Sequence, residues 1–116
     1  MKENELATYS IDLSVSIVEF YKWLVDRKKE FVMSKQILRS GTSVGANIHE
    51  AQYAVSKADF ISKMQIALKE VSETEYWIIV LERTGFFDDS FNFLKSKCIS
   101  IKKMLIATLN TMKKNI

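Results

Sequence analysis

Residues 36–51, QILRSGTSVGANIHEA, decide how this chain is to be read. Ile37, Gly41, Val44, Ile48 and Ala51, with Val55 beyond them, recur at the three-and-four spacing that places side chains on one side of an α-helix. A second stripe runs beside the first: Gln36, Ser40, Ser43, Asn47 and Glu50. It is polar but short-chained, whereas a solvated helical face is ordinarily filled with Lys, Glu and Arg. Ser and Asn compete for the backbone and weaken a helix interior. Gly41 and Gly45 each cost about 1 kcal/mol relative to alanine there. The expected return is close approach of a second backbone, with Ser40, Ser43 and Asn47 hydrogen-bonding across the gap. The competing reading, a helix that stops at Gly41, has to break an apolar spacing that passes through the glycine without a change of phase. GTSVG lacks the glycine pattern and the following Lys-Ser/Thr of a phosphate-cradling loop.

Upstream, a first helix is expected from Glu5 to Arg27, with Leu6, Tyr9, Leu13, Ile17, Phe20 and Leu24 as its core stripe. Ile11, Val15, Val18 and Val25 widen that stripe beyond what one bundle core needs. Phe31 and Val32 fall in the connection, and Ser34 is the candidate N-cap of the second helix. Downstream, the second helix is expected to reach Val55 and Ser56 to cap a third, with Asp59 in its first turn. Phe60, Met64, Ala67, Val71, Thr74, Ile78 and Leu81 alternate four and three, the seam of a left-handed bundle. Trp77 lies on another face, and with Tyr76 and Ile79 it makes the end of that helix apolar nearly all round. Gly85 is placed to end the helix as a left-handed cap. Phe86 and Phe87 then plug the bundle end, and Asp88, Asp89 or Ser90 caps a fourth helix whose heptad runs Phe91, Leu94, Cys98, Ile101, Leu105, Thr108, Met112. Four helices, short connections and no internal repeat predict an all-α protein: an antiparallel up-and-down four-helix bundle, one domain over residues 1–116.

Composition agrees with long helices, since the 116 residues include no proline and 3 glycines. No apolar run approaches the roughly 20 residues of a membrane span, and the start, MKENELATYS, is polar. The single cysteine, Cys98, makes no internal disulfide, so a cytoplasmic location and no membrane partner are expected. Net charge is +3, but it is unevenly spread: residues 90–116 carry six lysines and no acid, leaving −3 on the remainder. A basic last helix on a mildly acidic body favours an anionic partner.

The run QILRSGTSVGANIHEA, followed by Ser56, Asp59-Phe60 and Ile66-Ala67, resembles the signature of the four-helix-bundle proteins encoded in intervening sequences of bacterial 23S ribosomal RNA genes. Gln36, Leu38, Arg39, Ser43, Val44, Asn47, Ile48, Glu50 and Phe60 match that pattern; Gly45 stands where proline is common, His49 for Ala and Ala51 for Gly. The resemblance, which covers nearly the whole chain and extends to the accessory protein of diversity-generating retroelements, implies a ring-like homopentamer without known enzymatic activity. In the retroelement relatives it implies binding of nucleic acid and a reverse transcriptase. Gln36, Arg39, Gly41, Ser43, Gly45, Asn47 and Glu50 are then the motif residues that pack the helices.

No catalytic constellation emerges. His49, the one histidine, has no ligand type three or four residues away, and a di-iron bundle needs two Glu-x-x-His motifs. Cys98 in a heptad position behaves as a small hydrophobe. Glu70, Glu73 and Glu82 read as salt-bridge partners. No metal, cofactor or enzymatic activity is expected.

Two functional readings follow. In the first, Lys95, Lys102 and Lys113 share one face of the last helix with Lys103 and Lys114 beside them, and copies of the chain multiply that charge into a field that attracts RNA or DNA phosphates. Aromatic residues are not interleaved with these lysines, so base stacking there has little support. Trp77, Ile99 and Ile106 are the candidate oligomer interface, because exposed isoleucines beside lysines fit a charge-rimmed subunit contact. In the second reading the lysines only solubilise a protein-protein adaptor with no nucleic-acid role.

Overall fold

The computed structural model describes residues 3–114, with side chains from Glu5 onward. Among these, four α-helices follow one another: α1 Glu3–Asp26, α2 Met33–Ala51, α3 Lys57–Arg83 and α4 Phe93–Lys114, with a 3-10 turn, Asp89–Phe91, ahead of α4. Each helix packs on the next and α4 closes on α1, so the helices form the expected up-and-down four-helix bundle. Its extents are 47 × 21 × 20 Å, the length being set by the 27 residues of α3.

The core follows the heptad reading closely. Leu13, Ile17, Phe20 and Leu24 of α1, Ile37 and Val44 of α2, Ala67, Val71 and Leu81 of α3, and Leu94, Cys98 and Leu105 of α4 are fully buried. At one end Phe20 meets Phe87 and Phe91 at ring-centroid distances of 5.5 and 4.9 Å, so Phe87 plugs the bundle end as expected, with Phe91 as its partner there and Phe86 packed partly buried against the core. Gly85 adopts φ +86, and the N–H groups of Phe86 and Gly85 reach back to the carbonyls of Leu81 and Glu82 at 2.8 and 3.2 Å. These are the two bonds of a Schellman cap.

Five local expectations are corrected. α2 stops at Ala51, and Val55 is 92% exposed instead of joining the core. The start of α3 explains it: Ser56 Oγ accepts the N–H of Asp59, whose carboxylate accepts the N–H of Val55, so the backbone at 55 belongs to the next helix's cap. Ser34 does not cap α2; it lies inside the helix, fully buried, and the carboxylate of Glu30 takes the capping role. Tyr9 is 49% exposed, at the edge of α1 that faces α4. Asp88 caps the short 3-10 turn, and α4 begins only at Phe93. In the last turns of α4 the buried position is Leu109, while Thr108 and Met112 are only half-buried. A straight helix at 3.6 residues per turn drifts off a strict heptad, and the drift has accumulated by then.

Candidate nucleic-acid interface and assembly surfaces

The small residues of α2 serve two neighbours. Gly41 and Gly45 face α1: a β-carbon on Gly41 would stand 2.7 Å from Ile17 Cγ1, and one on Gly45 would stand 3.0 Å from Ser14 Oγ and 3.2 Å from the carbonyl oxygen of Ser10. The expected close approach therefore occurs. Its hydrogen bonds differ from expectation. Ser40 bonds across a gap, but to α3, where Thr74 Oγ1 donates to Ser40 Oγ at 2.9 Å between two fully buried residues. Ser43 and Asn47 turn back on their own helix, to the carbonyls of Arg39 and Ser43 at 2.7 and 2.9 Å. A helix interior offers these short side chains a backbone acceptor one turn back, and that acceptor wins.

On the α2–α3 groove Arg39 spans two acids one turn apart, Glu70 at 3.3 Å and Glu73. Glu73 also accepts the indole N–H of Trp77 at 3.1 Å. The Arg39 hydrogen bond and then that of Trp77 hold the Glu73 carboxyl below the usual carboxylate range, and Glu73 in turn raises the Arg39 guanidinium. Glu50 pairs with Lys63 of α3 at 3.0 Å, and Gln36 is exposed. Trp77 is thus half-buried against its own bundle on the α2 side of α3. It does not share a face with Ile99 and Ile106.

Ile99, 46% exposed, lines the α3–α4 groove together with Ile79, and Ile106, 42% exposed, lies one heptad further along α4. Here the lysine set divides. Lys95 pairs with Glu82 and Lys102 with Glu75, both at 2.7 Å, and Lys95 also lies over the Phe87 ring at 5.1 Å. Lys103, Lys113 and Lys114 are exposed and make no ion pair among the described residues. Lys103 faces the α1–α4 groove, which Lys97, Glu5 and Asp12 also line. The expected basic stripe is therefore split into a neutralised pair and a free set nearer the C-terminal end. One signal for the pairing was present in the sequence: Glu75 and Glu82 are one heptad apart, as are Lys95 and Lys102, and antiparallel helices set such pairs opposite each other in reverse order.

On α1, Ile11 and Val15 point outward at 57% and 54% exposure. Among the described residues no group of three His, Cys, Asp or Glu side chains converges as a metal site, and no helix is long and apolar enough to cross a membrane. His49 is exposed beside Tyr53, and burial pushes the Cys98 thiol up to about 12.

Residues 2–107 match the family model described as 23S rRNA-intervening sequence protein. A crystal structure of a protein of unknown function from the S23 ribosomal protein family of Bacteroides thetaiotaomicron superposes with a TM-score of 0.92 at 50% identity, over 95% of this chain and 99% of that one. No curated protein matches the chain.

Proposed function

This chain belongs to the 23S rRNA-intervening sequence protein family, and we propose that it is a non-enzymatic bundle that assembles with copies of itself and presents a basic surface to nucleic acid. The observation that carries the assembly is apolar surface left uncovered on two separate parts of one bundle: Ile11 and Val15 on α1, and Ile79, Ile99 and Ile106 along α3 and α4. Two distinct apolar faces suit head-to-tail contact, which closes into a ring when the rotation between copies permits. Five copies is the number that the family resemblance implies. Lys103, Lys113 and Lys114, without an ion pair among the described residues, supply the anion-attracting charge on each copy, and a ring multiplies it.

Sedimentation equilibrium on the purified chain tests the assembly. The expected result is a homo-oligomer that Ile99→Asp with Ile106→Asp dissociates while helicity is retained; a monomeric wild type removes this reading. Anisotropy with RNA and DNA at about 50 mM salt tests the partner, and binding should fall steeply as salt rises. The engagement of Lys95 and Lys102 with glutamates favours a second reading, in which the α3–α4 face docks another polypeptide. Charge reversal of Lys103, Lys113 and Lys114 separates the two: it abolishes nucleic-acid binding in the first and leaves a docked polypeptide in place in the second.

A further inference from the structure

The turn between α1 and α2 carries Arg27, Lys28 and Lys29 in succession, with Lys35 in the first turns of α2, and all four are exposed. The acid inside this run does not offset them at the surface. Glu30 is only 8% exposed, and its oxygens accept the N–H groups of Val32, Met33 and Ser34 at 3.2, 3.1 and 2.6 Å. Its charge is engaged by the positive end of α2. Asp26 precedes the run, and Lys28 lies over the Trp23 ring at 5.4 Å, so Arg27, Lys29 and Lys35 carry the positive charge least committed within the bundle.

Directly after Glu30 the chain turns two apolar side chains outward, Phe31 at 53% and Val32 at 72% exposure. The backbone that presents them is held in place. Lys29 takes φ 55, the Arg27 N–H reaches the Trp23 carbonyl at 2.9 Å, and the Glu30 N–H reaches the Leu24 carbonyl at 2.9 Å. An aromatic face is thus set on an anchored turn with three cations before it and one after it. The rings beside the lysines of α4 are already covered by them, Phe87 by Lys95 at 5.1 Å and Phe93 by Lys97 at 6.0 Å.

We propose that this turn is a contact for single-stranded nucleic acid, with Phe31 as the surface on which one base stacks and Arg27, Lys28, Lys29 and Lys35 holding adjacent phosphates. The reading deepens the proposed function and rests on nucleic acid being the partner, but it places base contact at the opposite end of α4 from Lys113 and Lys114. A strand with splayed bases is required, because a phenyl ring cannot reach a base that is still stacked in a duplex. The ring favours this occupant over a lipid surface, since one base can stack on it whereas two apolar side chains bury too little area for lasting membrane attachment.

The test is fluorescence anisotropy with labelled oligouridylate, single-stranded and annealed to its complement. The proteins compared are the full chain, Phe31→Ala, Phe31→Tyr, and a variant with Lys103, Lys113 and Lys114 all changed to Glu. The expected result is preference for the single strand and about tenfold weaker binding by Phe31→Ala, with circular dichroism and thermal unfolding unchanged and affinity retained in Phe31→Tyr. Undiminished binding by Phe31→Ala, or equal binding of duplex, overturns the assignment of this turn; if the triple lysine variant then loses binding, the proposed function stands without it. No binding by the full chain removes both. Phe31-dependent attachment to phosphatidylserine vesicles without oligonucleotide binding would also overturn it, in favour of a membrane.

Discussion

Ile17 of α1 occupies the space that a β-carbon on Gly41 of α2 would need: its Cγ1 and Cγ2 lie 2.7 and 2.8 Å from that position. These are the atoms nearest the branch of a fully buried side chain, not the far end of a flexible one, so they cannot swing aside without moving α1. The glycine is the reason that the two helices approach as they do. The penalty that glycine brings to a helix is offset by the packing it permits.

Gly41→Ala is therefore expected to lower stability by about 1 kcal/mol net, overpacking outweighing the gain in helix propensity. Gly45→Ala should cost less, because its neighbours stand further off than Ile17 does from Gly41: the Ser14 hydroxyl at 3.0 Å, which rotates, and the Ser10 carbonyl oxygen at 3.2 Å, which has to give by a few tenths of an ångström. Urea unfolding of both variants checks the order. The combination of Gly41→Ala with Ile17→Ala should lose less than the sum of the two single variants, since truncating Ile17 vacates the contested space.

Capping of α2 makes a second contrast. Glu30→Ala leaves three backbone N–H groups at the helix start without their acceptor and is expected to cost about 1–2 kcal/mol. Ser34→Ala should be neutral or slightly stabilising, because the Ser34 hydroxyl is buried without a hydrogen-bond partner among the described residues. Thermal denaturation of the two variants side by side separates the real cap from the residue whose type suggests one.

The Glu73 carboxyl titrates below its ordinary 4.5 in the folded chain because Arg39 and then Trp77 donate to its ionised form. A lowered folded value means that the stabilisation is fully present above the ordinary carboxylate value and is lost as pH falls through the lowered one. Comparison of unfolding midpoints at neutral pH and in that acid window should show Glu73→Gln losing less on acidification than the wild type. The size is modest, since this carboxylate is about a third exposed and solvent screens it.

Burial pushes the Cys98 thiol up to about 12, so thiolate is scarce at neutral pH and reagent has no access to it. Labelling with a thiol reagent should be slowed at least about a thousandfold relative to the unfolded chain. Denaturant should raise the rate along the unfolding curve. Rapid labelling of the native chain would place Cys98 outside the core.

The stripes of α1, α3 and α4 and the Schellman glycine at position 85 were legible because a helix's period and its terminators are local properties. Position 55 was not, since its fate depended on whether its N–H served the end of one helix or the cap of the next. Ser34 was misread for a related reason: residue type suggests a cap, but a long carboxylate in the preceding turn, Glu30, reaches the same N–H groups first. The candidate basic site was half legible. All its lysines are on α4 as read, yet the division into Lys95 and Lys102, held by Glu82 and Glu75, and Lys103, Lys113 and Lys114, held by no acid among the described residues, required a partner helix at a definite register.

Sequence alone determined that four amphipathic helices would form a bundle, which residues share each face, and that α2 would tolerate close neighbours. Tertiary structure decided which neighbour each face meets: α1 against the glycines, α3 against Ser40 and Arg39, and the acids of α3 against Lys95 and Lys102. Periodicity acts along one chain segment and is written in the spacing of its residues, whereas pairing between segments depends on the relative rotation and offset of two helices, which no single segment encodes.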